Sequence, residues 1–400
     1  FKSKLLASID NFDEQCDGLL IHSENFQALN LLQERYRKQV KCVYIDPPYN
    51  TDGDGFCYKD CYRHSTWLTM IQERIVICQM FLNNLGNIFV SLDDNEHANF
   101  SLCLNKLFNV EKPLANFLWK KKGTSTNVEG AFVSALIDYI VTYGKSNGIN
   151  PRVTKSDDRQ YPFNDNEGFY RTTIIEKKNT GSYRRDTMQF EIIGKKPREG
   201  KRWQIGESTA RELEQKKRFI LDGNIVKLKI YKQEEEDTYS ANPNLLLDYG
   251  SSDSASKDLN DNIFGVSEFF SNPKPKELIQ HIVVISSKSY DIVLDYFAGS
   301  GTTGHAVINL NREDGGSRKY ILVEMGDHFN TVLKPRIQKV AYSSDWKDGK
   351  PVSRDTGISH CFKYLRLESY EDTLNNLEFN ENPKRARKFL KILSYAKNLC

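Results

Sequence analysis

The pattern of apolar and polar positions divides this chain into three textures. In the first, short apolar runs alternate with helical patterns. KCVYI (41–45) is apolar and β-branched and stops abruptly at Asp46-Pro47-Pro48, the pattern of a buried parallel strand followed by a loop. Residues 65–85 place Trp67, Leu68, Ile71, Ile75, Cys78 and Leu82 at helical spacing and close at Gly86. NIFVSL (87–92) reads as a second strand, ANFSLCLNKLF as a second helix and DYIVTYG (138–144) as a third strand. Strands alternating with helices predict an α/β parallel sheet.

That rhythm is lost over 150–262, which is polar and basic, with Tyr170, Tyr183, Phe190, Trp203, Phe219 and Tyr231 spread among the charges. Its end, 234–261, is rich in Ser, Asp and Asn and reads as loop. The rhythm returns with an amphipathic helix (KPKELIQHIVVISS), a strand (DIVLDYF), a helix (TTGHAVINLNRED), a strand (KYILVEM) and a helix (DHFNTVLKPRIQKVAYS). The expected organisation is one α/β domain built from 1–149 and 263–345, interrupted by an inserted domain at 150–262. A C-terminal segment over 346–400, ending in a basic helical tail, follows.

Composition narrows the class. With 400 residues, 39% hydrophobic and 27% charged, the chain is long enough for two to three domains and too apolar to be disordered over most of its length. No run approaches the roughly 18 to 20 apolar residues of a membrane helix. FKSKLLASIDNFDEQ has no apolar core of signal-peptide length, and the chain opens on Phe rather than Met, so upstream residues are expected. The cysteines, at 16, 42, 57, 61, 78, 103, 361 and 400, form no C-x-x-C and read as reduced thiols of a cytoplasmic protein. Neither they nor the seven histidines make a metal pattern. Net charge is +3, but 17 Lys or Arg face 8 Asp or Glu between Arg171 and Lys232, leaving −6 elsewhere. Such a block is either a solvated face or the footprint of a polyanion.

Two motifs carry chemistry. FAGSGTTG follows a strand and opens a helix, so Gly299, Gly301 and Gly304 satisfy G-x-G-x-x-G in its required context. Asp295 ends the preceding strand, and Glu324 ends the next, where an acid can bind ribose hydroxyls. A dinucleotide or S-adenosyl-L-methionine (SAM) suits this arrangement. Asp295 favours SAM, whose methionine tail carries an ammonium, over a pyrophosphate. The second motif, Asp46-Pro47-Pro48-Tyr49, sits where open α/β sheets place their sites. It offers a carboxylate, a backbone carbonyl and an aromatic face, three groups suited to a flipped planar base with an exocyclic amine. An ordinary strand-ending turn is the bland alternative for each motif alone.

Together these motifs resemble the amino-group DNA methyltransferases, in the permuted β-group order with the catalytic motif first. The resemblance is closest to the Mod (modification) subunits of type III restriction–modification systems. It is carried by VYIDPPYNT, HSTWLTMIQERI, IFVSLDDNEHAN, NFLWKKKG, FSNPKPKELI, LDYFAGSGTTGHAV and FKYLRLESYEDTLNNL, across about 1–148 and 263–375. It implies a permuted doubly wound, Rossmann-like SAM-dependent methyltransferase sheet with an inserted target-recognition domain and a C-terminal helical segment. It implies SAM contacts from Asp295, Phe297, Gly299, Gly301, Thr302 and Glu324, and methionine-side contacts from Asn272, Lys274 and Lys276. The HEYI-like strand of the family reads Leu136-Ile137-Asp138-Tyr139-Ile140 here, without its His. The resemblance further implies double-stranded DNA as substrate, a homodimer and a restriction (nuclease) subunit as partner.

The implied mechanism has Asp46 and the Pro47 carbonyl accept from adenine N6 while Tyr49 stacks on the base. The localised lone pair then attacks the sulfonium methyl in line. The chain has no Pro-Cys dipeptide for C5 chemistry. Phosphate contacts are expected from Lys120, Lys121, Lys122, Arg184, Arg185, Lys195, Lys196, Arg198, Lys201 and Arg202. Trp203 and Tyr183 are candidates for a wedge at the flipped site, with core packing the better reading of both. Alternatives are a cytosine-N4 methyltransferase, a DNA-specificity subunit for a partner nuclease, and an NAD-dependent dehydrogenase. The last leaves Asp46-Pro47-Pro48-Tyr49 without a role. Gly144-Lys145-Ser146 lacks the upstream Gly of a phosphate loop, so ATP hydrolysis and cleavage are expected from another chain.

Overall fold

The computed structural model describes residues 10–50, 63–124, 133–155 and 158–368. The chain forms two compact units, Pro151–Asn242 and the remainder. The larger unit is built on a nine-stranded sheet. Its elements in chain order are β1 (Gly18–His22), α1 (Asn25–Tyr36), β2 (Val40–Ile45), α2 (His64–Phe81), β3 (Leu82–Leu92), α3 (His97–Leu107), β4 (Ala115–Lys120) and β5 (Ile137–Gly144). After the second unit come β6 (Leu245–Leu246), α4 (Lys276–Ser286), β7 (Ile292–Asp295), α5 (Thr302–Asp314), β8 (Lys319–Glu324), α6 (Lys334–Tyr342) and β9 (Phe362–Arg366).

The strand order is β6-β4-β5-β3-β2-β7-β8-β1-β9. Alternate residues of each central strand face opposite layers. Val43, Ile45, Leu294, Ile321 and Val323 join the core under α1, α2 and α3, with Trp67, Ile71 and Phe100. Cys42, Tyr44, Val293, Tyr320 and Leu322 join the core under α4, α5 and α6, with Leu278, Ile282 and Ile337. The sheet is therefore doubly wound.

It is mixed rather than parallel throughout. β5 runs antiparallel to both β3 and β4, while the other neighbours pair in parallel. Parallel pairing needs a crossover, usually a helix. β4 and β5 are consecutive strands of this sheet in the chain, and β5 returns against its neighbour. This reversal puts the start of β5, at Ile137-Asp138, on the edge where the other strands end.

The expected insert border also moves. Residues 243–262 belong to the larger unit. Leu246 is fully buried and pairs beside Trp119, whose Nε1 donates to the Gly250 carbonyl at 3.0 Å. Leu259 and Ile263 pack against Val332. Residues 252–264 are helical, with a π-helical turn over Lys257–Phe264, where a loop was expected up to Asp261. The C-terminal segment, expected as helical, contributes β9 to the sheet edge beside β1. Its basic tail lies outside the described residues, as do Cys57 and Cys61. No helix among the described residues is long and apolar enough to cross a membrane.

The smaller unit holds a four-stranded antiparallel sheet of Phe163–Asp165, Gly168–Ile174, Phe219–Asp222 and Ile225–Tyr231, with a helix over Glu207–Gln215. Its core is Ile175, Ile192, Trp203, Ala210, Phe219 and Val226. Trp203 is fully buried, and its Nε1 donates to the Phe190 carbonyl at 2.7 Å, so it is core rather than wedge. The Tyr183 side chain lies outside the described residues. Trp203→Ala is expected to destabilise this unit by about 3–5 kcal/mol through cavity formation, measured by chemical denaturation.

Candidate functional site

The carboxyl edge of the sheet carries the candidate site. β2 ends at Ile45, and Asp46-Pro47-Pro48-Tyr49 turns over the edge. Trp67, fully buried on α2, donates its indole N–H to the Pro48 carbonyl at 2.8 Å. Just past the turn Asn50 takes a φ of 61° and donates to Glu96 at 2.6 Å. The Glu96 carboxylate is fully buried and also lies 2.8 Å from His64 Nδ1 at the start of α2. These contacts hold a proline-stiffened turn in one orientation.

On the adjacent strand β7 ends at Asp295, and the glycine-rich turn follows. Gly299 and Gly301 adopt φ of 50° and 82°, the left-handed region that side chains disfavour. Gly304 lets α5 lie close to the sheet, since a Cβ there would sit 2.6 Å from Ile337 Cδ1 and 2.9 Å from Leu322 Cδ1. Asp295 is buried, accepting from the Phe297 N–H at 3.0 Å and the Thr303 hydroxyl at 2.6 Å. Glu324, at the end of β8, accepts from the Gly299 N–H at 2.8 Å and from those of Met325 and Gly326, each at 2.9 Å. Arg336, 2% exposed, backs the turn by donating to Ser300 Oγ and Thr302 Oγ1, both at 2.8 Å.

The two turns open into one cavity of about 440 Å³, which gathers Asp46, Pro47, Pro48, Tyr49, Asp295, Phe297, Gly299, Thr302 and Glu324 with Asn272 and Lys274. Lys274 Nζ donates to both Asp46 oxygens, at 2.7 and 2.6 Å, and stands 5.0 Å from the centre of the Tyr49 ring. On the far wall Lys121 donates to the buried Asp138 at 2.6 Å, and the Tyr49 hydroxyl points to Asp138 at 3.5 Å.

A family model for DNA methylases of the N6/N4 class matches residues 40–334, about three quarters of the chain. The chain belongs to this family. The Mod subunit of the StyLTI type III restriction-modification enzyme of Salmonella typhimurium is 29% identical over 90% of this chain and 62% of its own length. The type II methyltransferase M.KpnI of Klebsiella pneumoniae is 28% identical over 92% of this chain and 94% of its own length. The solved structure of the cytosine-N4-specific PvuII DNA methyltransferase has a TM-score of 0.43 at 14% identity, covering 80% of this chain and 86% of that one. The chain spans 55% to 62% of the length of the first three type III relatives it matches.

Two of the residues expected to contact the cofactor do not line this cavity. Gly301 does not line the cavity but caps α5 behind the turn, against Leu333. Lys276 points away and pairs with Asp258 at 3.0 Å. Of the three lysines after β4, Lys121 turns inward to Asp138 rather than out to a phosphate, and Lys122 also lines the cavity, while Lys120 ends β4 half-buried. In the smaller unit Arg184, Arg185, Lys195, Lys196 and Arg198 are exposed, while Lys201 and Arg202 are half-buried. Arg184 is paired with Asp186 at 3.0 Å and Arg198 with the buried Glu176 at 2.7 Å. Asp138, Phe270 and His328 line the cavity without having been singled out as site residues. The start of the DYIVTYG strand was the signal for Asp138; Phe270 reaches the cavity from a loop and His328 from the N-cap of the helical turn Phe329–Leu333.

Burial pushes Asp295 up to about 7, with Asp46 and Glu324 adding repulsion and the Thr303 and Phe297 hydrogen bonds opposing it. Burial pushes Glu324 up too, but His328 and the backbone N–H groups of Gly326 and Gly299 outweigh it and hold the carboxyl below its ordinary value. Desolvation, then Asp46 and Asp138, push the Tyr49 phenol well above its ordinary value, so its ring stays neutral. Because the folded value of Asp295 lies above the unfolded one, its contribution to stability is fully present below pH about 4 and is lost as pH rises towards 7. Asp295→Asn is therefore expected to raise Tm relative to wild type by several degrees at pH 8, roughly 1–3 kcal/mol, and by much less at pH 4. Thermal melts across this range check it.

Proposed function

We propose that this chain is a site-specific DNA methyltransferase that transfers a methyl group from SAM to N6 of a flipped adenine. It serves as the modification subunit of a type III restriction–modification system. One observation carries the reading: the Asp46-Pro47-Pro48-Tyr49 turn and the Asp295–Gly299 turn stand on neighbouring strands and open into one cavity.

The residues at the glycine-rich end fit the methyl donor. Asp295, raised by burial, suits the ammonium of its methionine part, and the ionised Glu324 suits ribose hydroxyls. When bound, SAM supplies an electrophilic methyl group on a sulfonium. At the other end Asp46 accepts from the exocyclic amine and Tyr49 stacks on the base, as in other base-flipping sites. The Trp67 contact holds the turn in place, so the orientation cost is met by the fold before the base arrives. The amine becomes acidic only after methylation, when Asp46 is placed to take its proton. An Asp before Pro-Pro-Tyr supports adenine over cytosine.

The smaller unit is proposed as the target-reading region, on the strength of the +9 balance of its stretch from Arg171 to Lys232. The naming of the Salmonella and related proteins as Mod subunits supports a partner nuclease subunit, and a homodimer acting on double-stranded DNA in the cytoplasm completes the proposal.

Labelled SAM incubated with genomic DNA free of host methylation is expected to yield N6-methyladenine. Asp46→Ala is expected to lower the rate by at least about 10²-fold. N4-methylcytosine in the nucleoside digest would correct the base and keep the mechanism. DNA affinity is expected to fall steeply with salt, and Lys195→Ala and Lys196→Ala each to reduce the log–log slope by about 1. A wild-type slope near zero would remove DNA from the smaller unit.

A further inference from the structure

We propose that Lys274 is a gate that makes capture of the target base depend on a loaded methyl donor. This rests on the reading above and on the methionine-side contact expected of Lys274, and adds to them its competition for Asp46. The Lys274 ammonium bridges both oxygens of Asp46 and stands over the Tyr49 ring. It thus presents N–H donors to the same carboxylate, and positive charge to the same aromatic face, that the exocyclic amine of a flipped base would use. The ammonium and the amine cannot both hold that place, so the base enters only when Lys274 leaves.

The departure has a direction. The Lys274 carbonyl accepts from the Thr302 hydroxyl at 3.2 Å, which pins its backbone beside the glycine-rich turn. The side chain is a flexible four-carbon stem on a fixed anchor. With side-chain exposures of 12% for Lys274 and 25% for Asp46, the pair is largely withdrawn from water. Breaking it without a new partner leaves two poorly solvated charges, which is costly. The donor's amino-acid part brings a carboxylate into the same cavity. Transfer of the ammonium from Asp46 to that carboxylate keeps the lysine paired and frees Asp46 for the base. By linkage, base capture in turn tightens donor binding.

The test uses two neutral-sulfur ligands, so that attraction of Asp46 for a sulfonium plays no part. S-adenosylhomocysteine has the amino-acid carboxylate; 5′-methylthioadenosine lacks it. Their affinities are measured by calorimetry on the whole chain and on Lys274→Met, Asp46→Asn and the double variant. Lys274→Met is expected to weaken S-adenosylhomocysteine by about tenfold and to leave methylthioadenosine within about twofold. Asp46→Asn, which removes the competitor for the ammonium, is expected to strengthen S-adenosylhomocysteine several-fold, but only while Lys274 is present.

Equal strengthening in both backgrounds would mean bulk electrostatics and would overturn the gate. Equal weakening of both ligands by Lys274→Met would mean a structural role and would also overturn it. In either case intact wild-type binding leaves the methyltransferase reading standing. Failure of the wild-type chain to bind either ligand would overturn both.

Discussion

The backbone ladder between β2 and β7 is the constraint from which the site follows. It pairs Cys42 with Val293 and Val43 with Leu294 in parallel, so both strands deliver their last residues to the same edge. Two turns about 250 residues apart in the chain thereby become neighbours. Register is held from both faces, because a slip of one residue would send Val43 and Leu294 into the wrong core. Trp67, Thr302, Thr303 and Arg336 reach the site from the helices directly, and the packing of the helices on alternate strand residues decides where Asp46 and Asp295 stand.

Charge at that edge is dense and arranged in pairs. Lys274 answers Asp46, Lys121 answers Asp138, and His328 together with three backbone N–H groups answers Glu324. Asp295 has neutral donors instead of a cation, and it is the acid that burial raises to about 7. On the proposed function, a zwitterionic ligand would meet the buried acid at one end of the cavity and the lysine at the other. Such a ligand would relieve both ends at once.

The locally encoded parts were legible in the chain. Most of the helix expected over 65–85, which ends at Phe81 with Leu82–Leu85 opening the next strand, the strand ending at Ile45 and the glycine positions of the second turn follow from side-chain spacing and from proline and glycine backbone restrictions. These act within a few residues. The reversal of β5 was not legible, because an apolar strand buried on both faces reads alike in either direction. The polar stretch 243–262 concealed its membership of the larger unit, since Leu246, Leu259 and Ile263 are too sparse to make a period. Lys121 looked like a surface lysine for the same reason: its partner, Asp138, is 17 residues away on another strand.

The chain alone therefore specified the candidate site groups and their strands: Asp46 beside two prolines, Tyr49, Asp295 before a glycine-rich turn, and Glu324 one strand later. Each depends on chemistry carried by the residue itself or its immediate neighbours. Tertiary structure alone decided that the two turns share a cavity, that Gly301 and Lys276 stand outside it, and that Lys274 and Lys121 close ion pairs across it. Those outcomes depend on strand order and on contacts between residues far apart in the chain. Hydrophobic periodicity tells a strand which way to face, but not which strand to lie beside.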